Sequence, residues 1–144
     1  MSSLLVPLRA QERTKLITKK WIMVDLVTPR LERNFEKRGI SQERREVLIA
    51  ELVADSFIDF KSDGTYEVSI LGSEKEKLFW RIDAQSNNQL VVRKTPNDRE
   101  KQVEIEELSK KRLIIIIPDI DNEYSRLYFA PADDLEASSS VKKK

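Results

Sequence analysis

The chain has 144 residues, with 26 Lys and Arg against 25 Asp and Glu and a formal net charge of +1. That balance argues against nucleic acid as a partner, which calls for a strongly basic face. With neither cysteine nor histidine, the chain cannot build a disulfide scaffold, a thiol nucleophile or a cysteine zinc site, and it lacks the commonest general base and transition-metal ligand.

A chain of this length suits one domain that buries roughly two thirds of its unfolded surface. At the N-terminus Leu4-Leu5-Val6-Pro7-Leu8 is apolar, but too short for a signal core and without a preceding basic region. Residues 1–14 are expected to be a flexible terminus. SLLVPLRAQ would also pass for the end of a signal segment, so a periplasmic or secreted location is expected if such a segment precedes Gln11, and a cytoplasmic one otherwise. No run of 18 apolar residues occurs, so no membrane span is expected.

Leu16 to Thr28 reads as the first strand, with Trp21, Met23 and Asp25 on one side and Ile22, Val24 and Leu26 on the other. Pro29 ends it, because proline cannot donate to a ladder. The period then changes. Ser41 suits a helix N-cap, Glu43 follows in the first turn, and Leu48, Ile49, Leu52 and Val53 recur at helical spacing, which predicts a helix over Ser41–Ala54. Leu31 and Phe35 are four apart, so a short helix before Gly39 would make a helix-turn-helix lid. The simpler expectation is a single amphipathic helix plugging one end of a sheet.

From Phe57 onward the chain is strands and turns. In Phe57–Val68, Ser62-Asp63-Gly64-Thr65 supplies a turn, since Asp bonds its own backbone and Gly accepts positive φ. Further strands follow at Lys77–Ala84, Gln89–Thr95, Lys101–Ser109, Arg112–Pro118 and Tyr124–Ala130, joined by short polar connections. Most alternate apolar with polar, the mark of antiparallel sheet with one dry face. Ile114-Ile115-Ile116-Ile117 is apolar on both faces; it lies beneath the helix, or its outer face meets a protein partner or a second copy. An eight-stranded meander tends to close, because closure abolishes unpaired edges. The end of the chain, residues 132–144, has the composition of a disordered tail.

Four features in order carry a resemblance: Thr18-Lys19-Lys20-Trp21 opening the first strand, the Asp63-Gly64-Thr65-Tyr66 turn, Trp80 on the fourth strand, and Glu107-Leu108-Ser109 before a Leu-rich strand. Over roughly residues 15–131 the chain resembles the small bacterial lipocalin-like domains, calycin-type barrels, with Lys19 standing where their pattern has Gly. The fold expected is therefore mainly all-β: an eight-stranded antiparallel up-and-down lipocalin-like barrel with a helix between its first and second strands.

Such a barrel is wide enough to be filled by side chains or to hold one small ligand. Its inward candidates include Ile58, Phe60, Tyr66, Val68, Leu78, Trp80, Ile82, Val92, Ile105, Leu113, Ile115 and Phe129. As a lining for a small hydrophobic molecule, Phe60, Tyr66, Leu78, Trp80, Val92, Ile115 and Phe129 are the ligand-binding candidates, with Tyr66 as polar handle and Arg126 facing inward beside Leu113. The same bulky residues equally suit a barrel filled by its own side chains. Trp21 is expected to plug the closed end.

No catalytic, metal or cofactor motif is present. Asp119, Asp121 and Glu123 fall at the first, third and fifth positions of a calcium loop, but Tyr124 replaces its Gly and Ala130 its bidentate Glu. Glu104 and Glu106 share a presumed wet face, which does not split carboxylate pKa values. Lys142-Lys143-Lys144 is too short for a nucleic-acid arm. Two readings follow: a non-enzymatic barrel, needing no cofactor, that binds a small apolar ligand beneath the Ser41–Ala54 helix; or a ligand-free structural or protein-interaction module.

Overall fold

The computed structural model describes residues 8–86, 88–118 and 123–134. In chain order these form α1 (Leu8–Ile17), β1 (Lys20–Val27), α2 (Pro29–Lys37), α3 (Gln42–Val53), β2 (Phe57–Phe60), β3 (Thr65–Ser69), β4 (Glu76–Ile82), β5 (Gln89–Arg93), β6 (Lys101–Leu108), β7 (Leu113–Pro118) and β8 (Tyr124–Pro131). Each strand pairs antiparallel with the next, and β8 returns to β1, so the sheet closes into an eight-stranded barrel without an open edge.

The β2–β3 hairpin forms as its sequence predicts. Asp63 Oδ1 accepts from the Thr65 backbone N–H at 2.9 Å and from its hydroxyl at 2.6 Å. Gly64 sits at φ 88°, a conformation that costs a β-carbon-bearing residue about 1–2 kcal/mol. The register that follows, Ile58↔Val68 and Phe60↔Tyr66, turns all four side chains toward the interior.

Two bulges reset the alternation. The β1–β8 register shifts between Met23 and Asp25, so Leu26 rather than Asp25 joins Trp21 and Met23 in the core. Asp25 stays outside, its carboxylate accepting from the Leu26 N–H at 2.8 Å. The expected grouping of Trp21, Met23 and Asp25 on one face is corrected by that extra residue. A second shift between Ile105 and Glu107 brings Leu108 into line with Leu113.

Residues 8–14 were expected to belong to a flexible terminus and residues 16–19 to the first strand; both belong instead to α1 and its exit. Ala10 and Ile17 are buried in the main core, and Trp21 Nε1 donates to the Ile17 carbonyl at 2.9 Å. The helix reaches β4 and β6 across the barrel, covering the end where β1 begins. Its apolar residues are too few for a helical stripe to be visible in sequence.

At the opposite end the chain forms the helix pair rather than the single helix of the simpler expectation. Thr28 caps α2, its hydroxyl accepting from the Leu31 N–H at 3.0 Å, and Pro29 takes the first turn, where a missing N–H costs nothing. Ser41 caps α3 by accepting from the Arg44 N–H at 3.2 Å. Phe35 and Val53 are buried, while Leu31 and Ile49 pack against the core.

Within the Ile114–Ile117 strand, the outward Ile114 is shielded by its own neighbours in the sheet. Ile115 points inward between Ile105 and Leu127. Ile114 points outward yet is only 4% exposed, flanked by Glu107 and Tyr128. Long side chains close over this face: Arg112 lies 5.8 Å from the Tyr128 ring centre and 3.7 Å from Glu107, and Arg126 bonds Glu106. The end of the chain departs from the expected tail at its start, since Ala132 is buried and 132–134 is a helical turn. Residues 135–144 of that tail and positions 119–122 of the calcium-like loop lie outside the described residues.

Candidate functional site

Inward residues of β2, β3 and β4 meet in an aromatic cluster. Phe60 stands edge-on to Trp80 with ring centres 5.0 Å apart, and tilted to Tyr66 at 5.5 Å. Phe60, Phe129 and Ile115 are 2%, 1% and 4% exposed. The middle of the barrel is thus occupied by side chains, and these three candidates are core. Trp80 anchors there as well, its Nε1 donating to the Lys61 carbonyl at 3.1 Å.

Arg126 does not face inward. Counting along β8, the register pairs it with Ile116 and Val27, out of phase with the inward Leu127 and Phe129. Its guanidinium lies outside the barrel and bonds Glu106 at 2.6 Å. The expected place beside Leu113 is taken by Phe129.

The remaining candidates come together at the end that carries α2 and α3, on the far side from β1. Tyr66 and Leu78 are cross-strand partners, and Val92 follows on β5 opposite Trp80. They line a cleft of about 410 Å³ together with Arg93, Lys94, Asp98, Arg99 and Lys101. The basic residues arrive through the β5–β6 connection, which turns where the Asp98 N–H donates to the Thr95 carbonyl at 3.1 Å. Arg93 reaches back along it, donating to the Pro96 carbonyl at 3.4 Å. Lys101 lies directly opposite Val92, and residues opposite each other in a ladder share a face, so its side chain rises from the inward face at the rim.

This cleft therefore has an apolar wall and a cationic lip. Burial, with a smaller contribution from the Glu76 charge, pushes the Tyr66 hydroxyl up to about 12, so it keeps its proton at any physiological pH. Among the described residues that line the cleft it is the one neutral side-chain donor.

A second cleft, of about 680 Å³, opens at the other end between α1 and the β2–β3 turn, lined by Thr14, Lys15, Thr18, Ser62, Gly64, Trp80, Arg81, Ile82 and Ala84. Trp80, in the central cluster, thus also borders the cleft at the α1 end, and the eight candidates divide among mouth, core, α1 end and outer surface. A third, lined by Val24, Asp25, Glu32, Arg45, Glu46 and Ile49 among others, lies between β1 and α3.

Lys94, Arg99 and Lys101 escaped the sequence reading. For Lys101 a signal existed, because it is in phase with Val103 and Ile105 at the start of its strand. For Lys94 and Arg99 none did, since the path of a connecting loop is set by packing. Among the described residues no helix is long and apolar enough to cross a membrane, and no group of three acidic side chains is placed to hold a metal ion. No protein-family model matches the chain, and no curated protein matches it.

Proposed function

We propose that this protein is a lipocalin-like binding protein, without catalytic activity, that holds one small apolar molecule at the mouth of its barrel. The observation that carries this reading is the cleft of about 410 Å³ walled by Tyr66, Leu78 and Val92. Its size falls within the span of roughly 300–1,000 Å³ common to small-molecule sites. The resemblance to lipocalin-like domains in the order of Trp21, the Asp63-Gly64 turn and Trp80 points the same way, as does a closed meander with one apolar core inside it. Because Phe60, Trp80 and Phe129 occupy the middle, the ligand sits above them, between the strand ends and the β5–β6 connection. The pair α2–α3 covers the neighbouring part of the same end.

The filled centre also supports a second reading, a ligand-free structural or interaction module. Native mass spectrometry on gently purified protein separates the two, followed by titration with an environment-sensitive apolar fluorophore. A mouth site predicts saturable uptake that Leu78→Arg or Val92→Arg weakens about tenfold or more, because either places a charge on the apolar wall. Arg81→Gln, on the outer surface, leaves it unchanged. A clean apo mass together with no saturable uptake would discard the mouth site in favour of the ligand-free module.

A further inference from the structure

The lip of the mouth cleft is unlike the chain as a whole. Across the sequence basic and acidic residues nearly cancel, 26 against 25, yet Arg93, Lys94, Arg99 and Lys101 line this cleft with Asp98 as the only acid among its lining residues. Some cations elsewhere on the surface are paired, Lys61 and Lys75 with Glu67, Arg81 with Glu100, Arg126 with Glu106 and Arg45 with Glu32. Others, such as Lys20, Arg44 and Lys111, form no ion pair among the described residues; what sets the lip apart is that four cations share one cleft. Among the described residues, no ion pair forms at Lys94, Arg99 or Lys101. Of the two acids flanking Arg99 in sequence, Glu100 is turned to Arg81 at 3.2 Å and Asp98 lines the cleft, where the cations outnumber it four to one.

From this we propose that the mouth binds a single-chain anionic amphiphile, its apolar chain against Leu78 and Val92 and its carboxylate or phosphate held by Lys101 with Lys94 and Arg99. The proposal rests on the reading of the mouth as a binding site and adds the charge of what enters it. Lys101 is the centre of the arrangement because it shares the face of Val92 at the first residue of β6. An ammonium there stands one side chain above the apolar wall, which is the geometry of a head group joined directly to a hydrocarbon chain. The Tyr66 hydroxyl, lining the same cleft, finds no hydrogen-bond partner among the described residues and supplies a neutral donor to the same oxygens. Lysine and arginine hold such groups by charge-assisted hydrogen bonds, and arginine also by a two-pronged fork.

A membrane surface would also be drawn to exposed cations, but the charges here surround a concave apolar wall. The structure thus favours a ligand that enters over a bilayer that is touched.

The test uses the full chain and four probes of one chain length: dodecanoate, dodecyl phosphate, dodecanol and dodecylammonium, each displacing a bound fluorophore. The expected result is that both anions bind at least about tenfold more tightly than the alcohol, a margin typical of hydrogen bonds to a charged group. The ammonium binds most weakly, and the advantage of the anions shrinks as salt screens the exposed lip. Lys101→Met, on an exposed residue outside the core, brings the anions down to the alcohol, whereas Lys110→Met does not. If all four bind alike and Lys101→Met changes nothing, the head-group proposal is overturned while the mouth site stands. If none binds, both fall. If the protein cosediments with vesicles containing anionic lipid but takes up no dodecanoate, the lip is a membrane contact and the proposal is likewise overturned.

Discussion

Tyr66 shows how one buried polar side chain ties the core to pH. Its hydroxyl is held protonated to about 12, first by burial and then by Glu76, whereas in the unfolded chain a tyrosine loses its proton near 10. Below pH 10 both states carry the proton and the residue contributes no pH dependence. Between about 10 and 12 the unfolded state releases its proton first, so stability falls as pH rises, by up to about 2–3 kcal/mol in all. Urea unfolding at pH 9 and pH 11.5 should show that decline, and Tyr66→Phe should remove this part of it. The hairpin turn works in the opposite range. Hydrogen bonds from Thr65 hold the Asp63 carboxyl below its ordinary value, so its contribution is present above the usual carboxylate range and fades as pH falls through its lowered value.

At the scale of elements, the helices have different tasks. The first, α1, seals the end of the barrel: Ile17 is fully buried, and its carbonyl receives the Trp21 indole N–H. Ile17→Ala should therefore cost about 2–5 kcal/mol, the range for truncating a buried aliphatic side chain, read as a fall in melting temperature. A loss below about 1 kcal/mol would mean that α1 is not docked. The pair α2–α3 is more lightly held, with Leu52 41% exposed and Leu71, on the facing β3–β4 turn, 43% exposed. Leu71 also adopts φ 53°, a strained conformation for a branched side chain. Together with Leu31 these residues line a shallow cleft beside the mouth.

For the molecule as a whole, closure is the decisive feature. The β1–β8 seam joins the start of the sheet to its end through Met23↔Phe129 and Leu26↔Leu127, and Phe129 is also the partner of Leu113 on β7. Phe129→Ala removes a 1% exposed aromatic from that junction, and a loss of about 3–5 kcal/mol is expected. Because one core spans all eight strands, tryptophan fluorescence and far-ultraviolet circular dichroism should report the same unfolding midpoint in this variant. Separate midpoints would mean that the seam opens before the rest of the barrel. The paired surface charges add little to this stability, since exposed ion pairs contribute about 0–1 kcal/mol each.

Much of this architecture was legible in local pattern. Alternation placed Ile58, Phe60, Tyr66, Leu78, Trp80, Ile105 and Phe129 inside, and Asp63-Gly64 and Ser41 marked a turn and a cap. Those signals are local because a strand's faces alternate every residue and a turn or cap is bonded within a few residues. What reached beyond that range was decided by the tertiary structure. The two bulges moved Leu26 and Leu108 inward, a matter of how one strand registers against its neighbour. The helix α1 is held by contacts with β4 and β6, distant in sequence, so its own residues carry almost no pattern. The outward turn of Arg126, the shielding of Ile114 and the gathering of Lys94, Arg99 and Lys101 around Tyr66 likewise depend on which strands and loops lie side by side. The sequence by itself determined a strand-rich chain with its apolar faces in register; closure and packing decided which of those residues became core, which became lip, and where the barrel stays open.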